Sequence, residues 1–350
     1  MAEPRFDLWL FFFSGLSGIA LLLVAGIFPA LAMPLTIACG ILLANTHVLV
    51  TIGYYLDGEN FRFYWQHRHW YFTTPLGLLL LAPVVALVSV PLAWSVHFLF
   101  TGWHVVRQSV GVNKLYGTRT GVPERDRKLD AGLIYATSLV LHVYAAFKYR
   151  LCFLDERLLP TPARAALFPL AAGLVALATA AFLLGVALSW WRGAGASPQR
   201  LAFGLISLLM YAPFLFVGNF ALAFMVAILP HYLQYHGIFW LVARNKYRGK
   251  PAYAGTVIGR LADDVPLALG LLLLLALAMA SLRGPDYLRD WLSLRAGLQV
   301  HPWANAALGL FFGVSWMHFY VDGLLFRFRH AHPRKSILPY LKSPASFAAR

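Results

Sequence analysis

"MHFYVDGLLFRFRH", residues 317–330, decides how this chain is read. It ends an apolar run that starts near residue 303, and it holds His318 and Asp322 within that run. Four residues apart, the two side chains share one face of a helix. An imidazole and a carboxylate are costly to hold in hydrocarbon, and where they occur there they default to function. The reading therefore turns on whether the rest of the chain is also membrane-spanning.

Composition says that it is. The 350 residues are 60% hydrophobic and only 12% charged, about half the charged share of a soluble domain. Mean hydropathy is +0.65. Long apolar runs recur from Leu8 to Phe326, which predicts an all-α, polytopic transmembrane helix bundle, one integral membrane domain over residues 1–350. No small-residue cleavage site follows the first run, so it reads as a span and not as a removed signal peptide. The net charge of +15 sits in short loops and at the C-terminus. It marks topology and contacts to anionic lipid at the cytoplasmic face, and excludes nucleic acid as a partner. Cys39 and Cys152 form neither a disulfide framework nor a metal-spacing pair.

About ten spans are expected, over 8–30, 33–56, 73–90, 92–113, 129–147, 165–190, 201–219, 220–243, 255–282 and 303–326. The basic segments 113–130 and 244–260 and the C-terminal tail fall on one side of such a bundle. The positive-inside rule places that side and both termini in the cytoplasm, of a bacterial inner membrane in this reading. Residues 148–164 dissent mildly, with four basic residues on the outer side diluted by Asp155 and Glu156.

Six of the 12 histidines lie inside even-numbered spans: His47 in the second, His97 and His104 in the fourth, His231 and His236 in the eighth, and His318 in the tenth. His47, His104, His231 and His318 fall at comparable depth. Singly, each reads as a ring bonded to a backbone carbonyl. Together, four imidazoles from four helices suit a metal, and an all-histidine set suits Fe, Zn, Cu or Ni. His97 and His104 are seven apart, about 10 Å along the axis, so one metal does not easily take both. His104 has the better depth. Pro230 starts or kinks a helix at His231, and His231 and His236, five apart, fall on different faces unless the backbone is distorted. Asp322, Gln108 and Asp57 stand near enough to hold the imidazoles, with tyrosines 54, 55, 232, 235 and 320 beside them. Arg107 caps the site or reaches toward headgroups. His67 and His69 belong to an interfacial aromatic belt, His330 and His332 to a basic tail. His142 is expected toward the outer end of the fifth span, away from the cluster, and His301 in an outer loop.

Tight HxxxH and HxxHH clusters in cytoplasmic loops mark desaturases and sterol hydroxylases, and this chain lacks HxxHH. Its segments "NTHVLVTIGYYLD", "HFLFTGWH", "LPHYLQYH" and "MHFYVDGLLFR" instead resemble, in order and placement, the four histidine segments of the Brp/Blh family of bacterial carotene dioxygenases. The chain departs from that family in carrying Asn45-Thr46-His47 where the family has Pro-His-Gly, and in carrying two histidines in the second segment. The resemblance implies one iron held by His47, His97 or His104, His231 and His318, and oxidative cleavage of a polyene.

The expected function is thus a membrane-embedded non-haem iron oxygenase, using one or two Fe ions and O2 on an apolar, lipid-soluble molecule such as a carotenoid. Asp322, Gln108 and Arg107 orient or tune the site. The alternatives are a haem-binding electron-transfer protein and a proton- or ion-coupled transporter.

Overall fold

The computed structural model describes residues 13–193, 198–282 and 302–341, and all of their regular secondary structure is helical. In chain order the helices are α1 (Ser14–Ile27), α2 (Pro29–Tyr55), α3 (Gly58–Gln66), α4 (His69–Val88), α5 (Val90–Arg119), α6 (Glu124–Lys148) and α7 (Thr161–Trp191). They continue as α8 (Pro198–Phe216), α9 (Phe220–Lys246), α10 (Val257–Asp263), α11 (Val265–Ser281), α12 (Pro302–Leu325) and α13 (Ala331–Ser336). His301 lies outside the described residues.

Six of these helices are long and apolar enough to cross a membrane: α2, α4, α6, α7, α8 and α12. The expected ninth span is not one straight helix. α10 and α11 meet at 110°, where Asp264 caps α11 by accepting from the Leu267 N–H at 3.0 Å and Pro266 lacks the N–H that a continuous helix would use. Counted as one span, the pair makes seven. α5, at 30 residues, and α9, at 27, are long enough but not apolar enough, because they carry the buried histidines and their polar neighbours. The outer faces of α7 and α11 present leucines such as Leu177, Leu184, Leu269 and Leu274, as helices in lipid do. The helices fit a polytopic integral membrane bundle.

The described residues form two compact units. One draws on 13–37 and 101–234, the other on 38–100 and 235–341.

In the first unit, α6, α7 and α8 are joined by a buried polar network. Arg200 makes a two-point bond to Asp130, Nε to Oδ2 at 2.8 Å and Nη2 to Oδ1 at 3.0 Å. Its Nη1 also donates to Ser189 Oγ, which donates to Asp126. A guanidinium all but fully buried in an apolar bundle requires such complete pairing. At the far end of α6, Lys148 Nζ donates to the carbonyls of Phe214, Leu215 and Val217. It thereby satisfies acceptors that the end of α8 cannot bond internally.

The second unit is built on α12 against α4. Its core holds Val48, Ala82, Ala86, Ala93, Met279, Leu308, Phe311, Phe312 and Trp316. Pro83 lies inside α4 and has no N–H for the carbonyl of Leu79, four residues back. Gly313 of α12 approaches that same carbonyl, so that a Cβ there would stand 2.6 Å from Leu79 O. The first unit repeats the device. Pro230 is interior to α9 and leaves the Val226 carbonyl without its helical donor. A Cβ on Gly18 of α1 would stand 2.5 Å from that oxygen. Pro230 therefore does not start a helix, and of the two expectations for it only a kink within α9 remains. In the second unit Lys246 and Asp57 form a buried ion pair, Nζ to Oδ2 at 2.5 Å, joined by the Tyr247 hydroxyl. Asp57 also caps α3 through the Glu59 N–H, which gives it a structural place at the end of α2.

Candidate metal centre

α2 changes its winding around His47. Residues Gly40–Asn45 form a π turn, Thr46–Val50 are α-helical, and Thr51–Tyr55 tighten to a 3₁₀ turn. π turns insert a residue and shift the helical phase, and they recur at functional sites. Here Asn45, Thr46 and His47 all point inward and are buried. Asn45 Nδ2 donates to the Ala276 carbonyl of α11, and Thr46 Oγ1 donates to Leu42 O in its own helix. His47 and Thr51, one turn apart, share a face.

Within the second unit both residues meet His318 of α12. His318 Nδ1 lies 2.7 Å from Thr51 Oγ1, Thr51 Oγ1 lies 3.0 Å from the Tyr235 hydroxyl, and Tyr235 hydrogen-bonds to Asp322. The donor roles follow from the end of this chain. A carboxylate only accepts, so Tyr235 donates to Asp322 and its oxygen accepts from Thr51. The single Thr51 proton is then used, and its oxygen accepts from His318 Nδ1–H. The relay therefore fixes one tautomer of His318 and turns the Nε2 lone pair toward His47, whose Nε2 is 2.9 Å away. Two nitrogens bound cis to one metal at about 2.1 Å stand about 3.0 Å apart, so the spacing fits a shared ion.

Within the first unit His104 of α5 and His231 of α9 meet edge to face, with ring centroids 5.0 Å apart at 90°. His47, His104 and His231 are all buried, and imidazoles of this kind are able to coordinate a metal ion. No family model, no curated protein and no solved structure matches this chain.

The other candidates take different places. His97 stacks on Phe312, with centroids 4.6 Å apart at 27°, and stands edge-on to Trp94. It is not among the three. His236, five residues after His231, lies with Nε2 3.0 Å from Thr46 Oγ1 and 3.3 Å from Leu43 O. A carbonyl only accepts, so Nε2 carries the proton and the ring orients α2. Arg107 lies over the Trp103 ring at 5.9 Å. Gln108, one turn after His104, keeps both amide atoms buried with no partner among the described residues. Asp322 reaches the His318 ring through Tyr235 and Thr51. Thr51 itself gave no signal in the sequence, because threonines inside spans commonly bond back to their own helix, as Thr46 and Thr137 do here. His142 lies six residues before the end of α6, and its ring packs on the backbone of α5 at Gly102.

Proposed function

We propose that this protein is a membrane-embedded metalloenzyme, in which His47, His104, His231 and His318 hold non-haem iron and O2 attacks an apolar, membrane-dissolved substrate. The observation that carries the reading is the pairing of buried imidazoles within each unit, His318 with His47 at 2.9 Å between Nε2 atoms and His104 with His231 edge to face. Neutral imidazoles without carboxylate or thiolate ligands suit Fe, Zn, Cu or Ni; iron and copper both carry O2 chemistry, and the resemblance to the Brp/Blh family favours iron. When bound, iron supplies the one-electron chemistry by which O2 reacts with a closed-shell double bond.

The protein's own groups do the rest. Thr51, Tyr235 and Asp322 keep the Nε2 lone pair of His318 presented and stabilise positive charge that develops on the ring. The bundle excludes water from the site. Gln108, with an unbonded amide one turn from His104, is placed to donate to an oxygen of the reacting partners, and Arg107 beside it adds positive charge. The aromatic group of Trp94, His97, Phe311, Phe312 and Phe319 suits a flat polyene such as a carotenoid. The resemblance to the Brp/Blh carotene dioxygenases supports the same substrate class.

In this reading the chain crosses a bacterial inner membrane ten times: the six apolar helices, the bent α10–α11 pair, the short α1, and α5 and α9, whose polar residues are turned inward. Both termini are cytoplasmic, and the basic segments bind anionic lipid. Metal analysis by mass spectrometry tests the reading on detergent-purified protein and on a variant with His47, His231 and His318 changed to Ala. The expected result is one or two irons per chain in the natural protein, absent from a variant that keeps its helical circular dichroism. A Soret band, or the same iron content in both proteins, overturns it. The matching activity assay is cleavage of an added carotenoid under O2.

A further inference from the structure

After α12 the chain turns back onto the second unit. Arg334 fastens the turn, with Nε donating to Phe328 O at 3.0 Å and Nη2 to Arg329 O at 2.9 Å. α13 and the Leu338–Leu341 turn follow, and Pro333, Ser336, Ile337 and Leu341 are buried. Three contacts tie this segment to other helices of the unit. Asn245, near the end of α9, donates from Nδ2 to Tyr340 O at 2.8 Å. The Lys246 ammonium lies over the Tyr340 ring at 5.6 Å. At the other end of the segment His332 lays its ring flat on Phe63 of α3, with centroids 3.8 Å apart at 2°, and its Nε2 lies 3.0 Å from Asn60 Oδ1.

The proton on His332 is placed by Asn60. That side chain is buried, and its Nδ2 donates to Tyr54 O. Its Oδ1 therefore accepts, and His332 Nε2 carries the proton. A neutral ring satisfies this contact with Nδ1 unprotonated. Charging it adds a proton at Nδ1 and puts a cation into a half-buried stack. Burial is the largest influence on the ring and lowers its pKa from the ordinary 6.5. Lys246 of α9 and His67 of α3 push the same way, while Glu59 of α3 and Asp57 at the end of α2 oppose them. Asp57 is already engaged by Lys246 and Tyr247, and Glu59 is exposed, where solvent and salt screen it. Of the remaining cations nearby, Arg62 of α3 donates to its own helix at Gly58 O, Arg334 is held by the turn, and Lys335 is exposed. The sign follows. A ring that is harder to charge when docked than when free holds the segment fully above pH 6.5. That hold is lost as pH falls through the lowered docked value.

We propose that His332 is a proton-released latch: neutral, it holds residues 331–341 on α3, and protonated, it lets them go. The segment follows directly on α12, the helix that carries His318 and Asp322, so release frees the end of that helix. The inference stands on the ring stack and the Asn60 bond and does not depend on iron or on oxygenase activity.

The test is a spin-label distance measurement by double electron–electron resonance on the full-length protein in lipid nanodiscs. The labels go on Arg68→Cys and Lys335→Cys, both exposed positions, with Cys39 and Cys152 changed to Ala. Between about pH 8 and about pH 5, the range over which a histidine gains its charge, a short separation is expected to give way reversibly to a longer and broader one as the major population. His332→Phe keeps a ring on Phe63 and cannot be charged, so the short separation is expected throughout. His332→Lys is charged over the whole range and is expected to show the long separation throughout. Helical circular dichroism is expected to stay unchanged, which separates release from unfolding. No pH response with His332 in place overturns the proposal. So does acid opening that persists in His332→Phe, a short separation at about pH 8 in His332→Lys, or a loss of helicity in step with the distance change.

Discussion

Thr51 decides which nitrogen of His318 carries the proton. It accepts from Nδ1 at 2.7 Å and passes its own proton toward Tyr235, so the ring presents Nε2 to His47. A valine there keeps the shape and removes both bonds. Thr51→Val is expected to weaken metal binding by about 10- to 100-fold, the usual effect of losing a group that holds a ligating imidazole, while Thr51→Ser retains most of the affinity. Competition with a metal chelator measures both, and equal affinities for the two variants count against the relay. His318 and Asp322 were legible in the sequence because an ionisable residue in an apolar run is conspicuous. Thr51 was not, since a hydroxyl in a span is ordinary until a partner from another helix is brought to it. His97 and His104 show the same limit. Seven residues apart they lie on one stripe of α5, yet His97 stacks on Phe312 and His104 meets His231.

At the scale of elements, α12 is placed by the fit of Gly313 to the Leu79 carbonyl that Pro83 leaves without a helical donor. Small residues at such contacts let backbones approach, and this is how helices associate where no hydrophobic force separates protein from lipid. Gly313→Leu puts a side chain where the first carbon already stands 2.6 Å from Leu79 O, so α12 must move. The expected cost is about 1–3 kcal/mol, with a fall in bound metal, because His318 lies five residues further along the same helix. Thermal melting and metal content of the one variant check both, and full metal occupancy at a lowered Tm would show that α12 shifts without moving the site. The π turn in α2 acts at the same scale. It changes the facing of His47 relative to the first half of the helix, and a hydrophobic pattern read at a constant 3.6-residue period does not reveal it.

At the scale of the whole molecule, the ten crossings proposed above are the six plainly apolar helices together with the bent, short and polar ones. Their arrangement predicts that green fluorescent protein fused after Arg350 fluoresces, whereas alkaline phosphatase fused there is inactive. Fusions in the 148–164 loop are predicted to behave in the opposite way. An active phosphatase at the C-terminus requires an odd number of crossings and a different pairing of the histidine helices by depth. The basic segments that set this prediction lie in short loops, where the positive-inside rule has its force.

The long apolar runs of the sequence determined that the described residues are all-helical, consistent with an integral membrane bundle, with imidazoles inside those runs, because polar groups are costly in apolar surroundings. The order of the helices and their approximate ends followed from the same cost. The sequence also identified the residue types able to hold a metal. Tertiary structure alone decided which of them meet. Convergence depends on the rotation of each helix about its axis, and that is set by a π turn in α2, by carbonyls freed at Pro83 and Pro230, and by glycines that let a neighbouring backbone reach them. Those contacts join residues far apart in the chain, and no local pattern encodes them. The same packing set His142 against the α5 backbone at Gly102.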